Sequence, residues 1–308
     1  MKILFVTSNR LGDAVLSTGL LDHLIRTYPG ARITVVCGPV AEGVFERMPN
    51  RERTIVLRKR SGSRHWLPLW AATLPHLWDL VVDIRGSALS WLVPTRRRAV
   101  FRRTGGPKIA ELGAILNLSP PPSPVIWTSP ADRLSIANIL ADRPVIVLAP
   151  TANWLPKVWP AERFAAFFRR MAEPGTLPLV LGGPGEAERA MAAPLLAALP
   201  EAIDLTGRLS LPEVAACLER ATLFIGNDSG LMHLSAAAGA PTIGLFGPTD
   251  AGTYGPTGRR AVAVVAESMQ AISVDQAVAA ARTLLDQPPT EAASSASVAA
   301  TSRRVVSS

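Results

Sequence analysis

Two doubly wound α/β units in tandem, facing one another across a cleft, are what the 308-residue sequence predicts. Three observations carry that expectation. Residues 1–40 read as strand, polar turn, helix and strand, and residues 221–250 repeat the pattern. Between them, Ser119-Pro120-Pro121-Pro122-Ser123-Pro124 interrupts the chain, because so proline-dense a run supplies few backbone donors to a helix or a ladder.

In order, residues 2–7 form a buried-type strand, and Ser8-Asn9-Arg10-Leu11-Gly12-Asp13 is its turn. A helix is predicted over 14–28, with Val15, Leu20, Leu21, Leu24 and Ile25 on the buried side and Asp22, His23 and Arg26 outside. Pro29-Gly30 ends it, and Arg32–Cys37 returns as a parallel strand through a right-handed connection. Strands over 54–57 and 80–84 extend the sheet, the second running into the polar turn Asp83-Ile84-Arg85-Gly86-Ser87. After the proline run come a helix over 131–140 and strands over 144–148, 177–181, 202–205, 223–225 and 242–246, with helices between. The domain boundaries follow: 1–118, a connection over 119–142, a second domain over 143–286, and a Ser/Ala-rich tail over 287–308 expected to be disordered.

Composition narrows the class. With 48% hydrophobic and 18% charged residues, the chain is long enough to bury two cores. Cys37 and Cys217 stand far apart with no CxxC partner, so neither a disulfide framework nor a zinc site is expected. The apolar run at the N-terminus is too short for a signal-peptide core, and no stretch is long enough to span a bilayer, which points to the cytoplasm. The net charge of +8 is unevenly spread: residues 1–110 hold 18 Lys/Arg against 7 Asp/Glu, the remainder 14 against 17. Its dense clusters are Arg58-Lys59-Arg60 with Arg64, and Arg96-Arg97-Arg98 with Arg102-Arg103. Solvated surface is the ordinary reading of such clusters, but beside Trp66, Trp70 and Trp91 they also suit an anionic membrane. Nucleic acid is disfavoured, because no aromatic residues are spaced among the charges and no recognisable module is present.

The chemistry gathers in 221–250. A helix beginning at Asp228-Ser229-Gly230 presents free N–H groups and the positive end of its dipole, where phosphate oxygens can be received. Helix capping by Asp228 or Ser229 is the competing reading. His233 lies one turn further in, and Gly247-Pro248-Thr249-Asp250 is a second polar turn at the same sheet edge. Gly182-Gly183-Pro184-Gly185-Glu186 follows a strand without GxGxxG spacing, and no Walker A loop occurs, which disfavours a dehydrogenase or a P-loop nucleotidase. Glu186 is either an acceptor for ribose hydroxyls or a first-turn helix carboxylate.

Five motifs, in order, resemble the ADP-heptose:lipopolysaccharide heptosyltransferases, glycosyltransferase family 9: Arg10-Leu11-Gly12-Asp13; Asp83-Ile84-Arg85-Gly86; Ala149-Pro150-Thr151 with Lys157-Val158-Trp159-Pro160; Gly182-Gly183 with Glu186; and Gly226-Asn227-Asp228-Ser229-Gly230 through Gly247-Pro248-Thr249-Asp250. The resemblance runs to about residue 285. It implies a GT-B fold, a nucleotide-diphosphate sugar in the C-terminal domain, a lipopolysaccharide core or lipid A acceptor in the N-terminal domain, peripheral contact with the inner face of the plasma membrane, and neither metal nor cofactor. Position by position, Asp13 matches the catalytic base, Lys157 the lysine at the diphosphate, and Asp228, Ser229, Gly230 and His233 the diphosphate-binding turn and helix. Thr151 and Asn153 fall in the phosphate loop, where Ala152-Asn153-Trp154 departs from the small hydroxyl residues usual there. Glu186, with Glu188 nearby, falls at the ribose, and Leu209 against the adenine. Arg10, Arg85, Arg96, Arg97 and Arg98 are the acceptor-side cations. A GT-B epimerase or hydrolase, or a catalytically silent sugar-nucleotide binder, are the alternatives; a silent relative is expected to lack Asp13 or Lys157, and both are present.

Overall fold

The alternation of apolar runs and helices folds, in a computed structural model that describes residues 1–58 and 66–286, into two wholly parallel sheets. The first contains β1 (Lys2–Val6), β2 (Arg32–Cys37), β3 (Arg51–Val56), β4 (Leu80–Asp83) and β5 (Arg98–Val100), in the order β3-β2-β1-β4-β5. The second contains β6 (Val145–Ala149), β7 (Leu177–Val180), β8 (Ile203–Asp204), β9 (Leu223–Asn227), β10 (Thr242–Phe246) and β11 (Ala261–Val265), in the order β11-β10-β9-β6-β7-β8. The central strands are apolar on both faces, as strands covered on both sides must be: Ile3, Leu4, Phe5 and Val6 of β1 are all fully buried.

The helices of the first half are α1 (Leu11–Leu16), α2 (Thr18–Thr27), α3 (Trp66–Thr73), α4 (Leu89–Leu92) and α5 (Lys108–Ala114). Those that follow are α6 (Pro130–Leu140), α7 (Ala161–Met171), α8 (Glu186–Ala198), α9 (Leu211–Glu219), α10 (Gly230–Ala238), α11 (Ala251–Tyr254) and α12 (Val274–Asp286). Strand order reverses between β1 and β4 in one sheet and between β6 and β9 in the other. These two switch points open crevices at the strands' carboxyl ends, where an open parallel sheet receives its ligand.

Several expectations need correction. The helix predicted over 14–28 begins at Leu11, so Asp13 lies within its first turn, and it is broken at Ser17. The break has a cause in the side chains: the Ser17 and Thr18 hydroxyls donate back to the carbonyls of Ala14 and Val15, at 2.7 and 2.6 Å, and compete with the helical ladder. Strands β5 and β11 were not anticipated; β5 lies under the arginine cluster, which reads as surface, and β11 is a five-residue alternation of Ala and Val with little bulk. Lys59, Arg60, Arg64 and the tail over 287–308 lie outside the described residues.

The hydrophobic interior is not two separate cores. One cluster runs from Ile3, Phe5 and Leu20 of the first half through to Val147, Leu179 and Phe224 of the second. Two smaller clusters flank it: Trp159, Phe164 and Leu245 under α7, α8 and α12, and Leu4, Val36, Trp78 and Val81 under α3 and α4. The proline-rich connection is irregular, as expected, but it is packed down. Val125 donates its N–H to Thr18 Oγ1 at 2.9 Å, and a Cβ on Gly19 would stand 2.5 Å from the Pro122 carbonyl oxygen, so only glycine fits there. A further tie is the two-pronged contact of Arg47 with Asp132 in α6, both bonds 2.9 Å; the guanidinium and the Ser129 cap hold the Asp132 carboxyl well below the usual carboxylate range against the cost of burial.

Candidate active site

At the second switch point one side chain organises the loop between β6 and α7. Asn227, fully buried at the end of β9, donates its amide to the Pro150 carbonyl at 2.8 Å and accepts from the Trp159 N–H at 3.0 Å. Both ends of 150–159 are thereby pinned, and the Trp159 indole N–H is tied to the Ile272 carbonyl at 3.0 Å. The loop delivers Lys157 to Asp228, Nζ to Oδ2 at 2.6 Å, with both side chains largely withdrawn from solvent. This ion pair spans the two strands at which the order reverses, β6 and β9.

Asp228 is therefore engaged with Lys157 and does not cap α10. Ser229 occupies the N-cap position in extended conformation, yet its side chain makes no cap hydrogen bond. The capping reading fails for both residues, and the Ser229 hydroxyl is left over. Among the described residues six buried side-chain polar atoms lack a partner, and four of them lie at this carboxyl edge: Thr206 Oγ1, Ser229 Oγ, His233 Nδ1 and Thr249 Oγ1. A buried polar atom without a partner costs on the order of 1–3 kcal/mol, and two of the four, Ser229 Oγ and His233 Nδ1, sit together in the first turn of α10, which makes that turn a candidate for a polar ligand; Thr249 follows β10 and Thr206 the outermost strand β8. Burial pushes the His233 pKa down to about 4, and nearby Lys157 acts in the same direction, against the opposing pull of Asp228 and Asp13. The ring is neutral at pH 7 and offers one N–H donor.

The first switch point supplies the opposite wall. Gly12 and Gly230 let α1 and α10 meet: a Cβ on Gly12 would stand 2.8 Å from His233 Cδ2, and one on Gly230 2.7 Å from Leu11 Cβ. Asp13, half-buried one residue beyond Gly12, accepts from the Ser8 hydroxyl at 3.2 Å. After β4, the fully buried Asp83 accepts from the N–H groups of Arg85 and Ser87, each at 2.8 Å, and from the Ser87 hydroxyl at 2.6 Å, which folds the turn so that Arg85 projects outward. The Arg85 guanidinium lies 3.5 Å from Asn9 Oδ1 and over the Trp66 ring, 5.4 Å from its centroid.

The structure thus brings Asp13, Lys157, Asp228, Ser229, Gly230 and His233 together across the two halves. Thr151 is buried beside Gly182 and Thr206, whereas Asn153 is exposed. Glu186 is exposed in the first turn of α8; Glu188 holds the preceding turn by accepting from the Gly183 N–H at 2.9 Å. Leu209 is half-buried between β8 and α9. Arg10 is exposed at the start of α1. The remaining arginines are on or beside the outer strand β5. Arg96 pairs with Asp79 at 3.4 Å, Arg97 is exposed, and Arg98 donates to the Ser90 and Val93 carbonyls at 2.6 and 3.3 Å while lying over the Trp91 ring. Thr206 and Thr249 escaped the sequence reading as site residues; their signal is a hydroxyl just past a strand end. Both cysteines are buried and free, and burial holds their thiols up at about 12. Among the described residues no three His, Cys, Asp or Glu side chains converge in a way that would hold a metal ion.

The sequence profile of glycosyltransferase family 9 (heptosyltransferase) matches residues 107–281. The chain belongs to glycosyltransferase family 9. This glycosyltransferase is 33% identical over 316 residues to lipopolysaccharide heptosyltransferase 1 of Salmonella typhimurium, covering 89% of the chain and 97% of that relative. Among solved structures it is similar to a family 9 glycosyl transferase of Veillonella parvula, with TM-score 0.79 and 24% identity over 92% of this chain and 97% of that one. It is also similar to the Escherichia coli heptosyltransferase WaaC solved with ADP, with TM-score 0.75 and 19% identity over 92% of this chain and all of that one. The fold is GT-B, two parallel α/β sheets with their switch points turned toward each other.

Proposed function

We propose that this glycosyltransferase moves a heptosyl group from a nucleotide-diphosphate heptose, ADP-heptose, to a lipopolysaccharide core acceptor, with inversion and without a metal ion. The observation that carries the reading is the pair of unpartnered buried polar atoms in the first turn of α10, Ser229 Oγ and His233 Nδ1, with Asp13 close by on the other half of the molecule. Its support from relatives is the name of the Salmonella typhimurium protein and the ADP in the Escherichia coli structure.

In the proposed reaction the acceptor hydroxyl oxygen bonds to the anomeric carbon as the bond from that carbon to the diphosphate oxygen breaks, and Asp13 takes the hydroxyl proton. The Ser8 hydroxyl orients the carboxylate. The departing nucleoside diphosphate carries the charge away. It is met by the Lys157 ammonium, the free N–H groups of α10, the Ser229 hydroxyl and the neutral His233 ring, donors already in place before the charge develops. Asp228 aims Lys157 at the site through their 2.6 Å ion pair. Thr151 and Asn153 serve the phosphates, Glu186 the ribose and Leu209 the adenine. Glu186 is preferred to Glu188 because the Glu188 carboxylate already holds the Gly183 turn. On the acceptor side, Arg10 and Arg85 border the site and Arg96, Arg97 and Arg98 lie beyond them, positive charge for a phosphorylated core and lipid A at the inner face of the plasma membrane.

The test is transfer itself: ADP-heptose and heptose-deficient lipopolysaccharide are incubated with the protein in excess chelator, and the lipid product is weighed by mass spectrometry. The expected product is heavier by one heptosyl unit and forms at the same rate with chelator as without. ADP release with no change in the acceptor mass would instead indicate a hydrolase.

A further inference from the structure

Helix α3 has the sequence WLPLWAAT, apolar on every side, a composition that belongs in a protein core or in lipid. It is in neither among the described residues. Only Leu69 and Thr73 of α3 are buried, while Leu67 is 65% exposed and Trp70 is exposed as well. Next to it, Trp91 and Leu92 of α4 are 63% and 59% exposed. The two helices form one surface, because the Trp70 indole N–H donates to the Leu92 carbonyl at 2.9 Å. Leu74, just past the end of α3, extends it.

Scattered apolar side chains are ordinary on a protein surface, but two tryptophans and three leucines on joined helices form a patch of the kind that covers something. The rim selects what. Arg98 lies over the Trp91 ring, 5.5 Å from its centroid, Arg53 donates to the Ala72 carbonyl in α3 at 3.0 Å, and Arg85 stands over the Trp66 ring at the other end of α3. Arg96 and Arg97 follow on the same edge, Arg96 paired with Asp79. Tryptophan and leucine ringed by guanidinium groups match the two layers of an anionic leaflet, acyl chain below and phosphate above. At eight residues, α3 is about 12 Å long. It is too short to cross a bilayer.

We infer that the α3–α4 face, with Leu67, Trp70, Leu74, Trp91 and Leu92 seated among the acyl chains and Arg53, Arg85 and Arg98 at the phosphates, is the surface by which the protein docks on an anionic lipid leaflet. The inference deepens the proposed function and rests on it for the side from which the acceptor arrives. Arg85 joins the two places: it touches Trp66 at the start of α3 and Asn9 in the loop that leads to Asp13. A lipid-anchored acceptor then keeps its acyl chains in the leaflet while its sugar reaches the carboxylate.

The experiment is flotation with vesicles of phosphatidylcholine containing or lacking phosphatidylglycerol, which reads lipid contact and needs no transfer, so its outcome is separate from that of the transfer assay. The wild-type protein is expected to float with the anionic vesicles, and less as salt rises. The combined variant Leu67→Ser, Trp91→Ser, Leu92→Ser is expected to bind them about tenfold or more weakly while its melting temperature stays near wild type. If the combined variant misfolds, Leu67→Ser alone is the readout, with a smaller loss of binding. Wild-type protein that stays at the bottom of the gradient, or a folded variant that floats as well as wild type, overturns the inference. So does a wild-type dimer in sedimentation that the combined variant converts to monomer, since the face would then cover a second copy.

Discussion

In the proposed reaction Lys157 and His233 meet the same phosphates by different means, and each can be tested alone. Lys157 contributes a charge, so Lys157→Ala is expected to weaken binding of ADP itself. Ser229→Ala is expected to weaken it less, because the backbone N–H groups of α10 remain. Calorimetric titration with ADP checks both, and equal affinity in wild type and Lys157→Ala would remove the lysine from the site. His233 contributes a neutral donor, which has a consequence for stability. Its folded pKa of about 4 lies below the unfolded value of about 6.5, so between these values the unfolded chain holds a proton that the folded chain excludes. The stabilisation is complete above pH 6.5 and is lost as pH falls toward 4, a difference on the order of 3 kcal/mol over the whole window. Thermal melts at pH 7.5 and 5 are expected to separate more for wild type than for His233→Gln; identical separations would mean that the ring stays accessible to protons.

At the scale of elements, the contact of α1 with α10 decides whether the two switch points share one site. Replacing Gly12 by Ala gains helix propensity of up to about 1 kcal/mol, but its Cβ would press on the fully enclosed His233 ring. Overpacking of that kind costs roughly 1–3 kcal/mol, so the clash wins. Gly12→Ala is expected to lower the melting temperature and to weaken ADP binding together, as measured by a thermal scan and a titration; a variant more stable than wild type would show that the helices are not in contact. Elements were legible in the sequence where one signal dominated. The runs of β2 and β10 were read to the residue because each is a short apolar block between breakers. The break at Ser17 was hidden by an unbroken helical pattern, since it depends on where two hydroxyls donate. Strand β5 was hidden because its first residue is part of an arginine run. In the site, Asp228, Ser229 and His233 stood out through a helix N-terminus that spacing reveals. Thr206 and Thr249 did not, because a hydroxyl past a strand end becomes informative only when it is seen to be buried and unpartnered. The Lys157–Asp228 pair joins residues 71 positions apart, a relation that only the sheet order creates.

In the proposed reaction the work is divided between the halves, the base coming from α1 of the first half and the leaving-group site from the second, in a molecule whose hydrophobic core runs through both. That division predicts that binding and turnover separate in a single variant. Asp13 lies on the first-half side, beyond the α1–α10 contact from the phosphate donors, and Asn preserves its size and its place in the first turn of α1. Asp13→Asn should therefore leave the melting temperature and the ADP affinity near wild type while removing the proton acceptor, and positioned bases contribute about a hundredfold to ten-thousandfold in rate. The direct measurement is the rate of ADP release from ADP-heptose at saturating donor and acceptor, wild type against Asp13→Asn. A fall of about a hundredfold or more with donor affinity retained is the predicted result, and a variant that turns over at close to the wild-type rate would contradict the assignment of the base and the division of labour built on it.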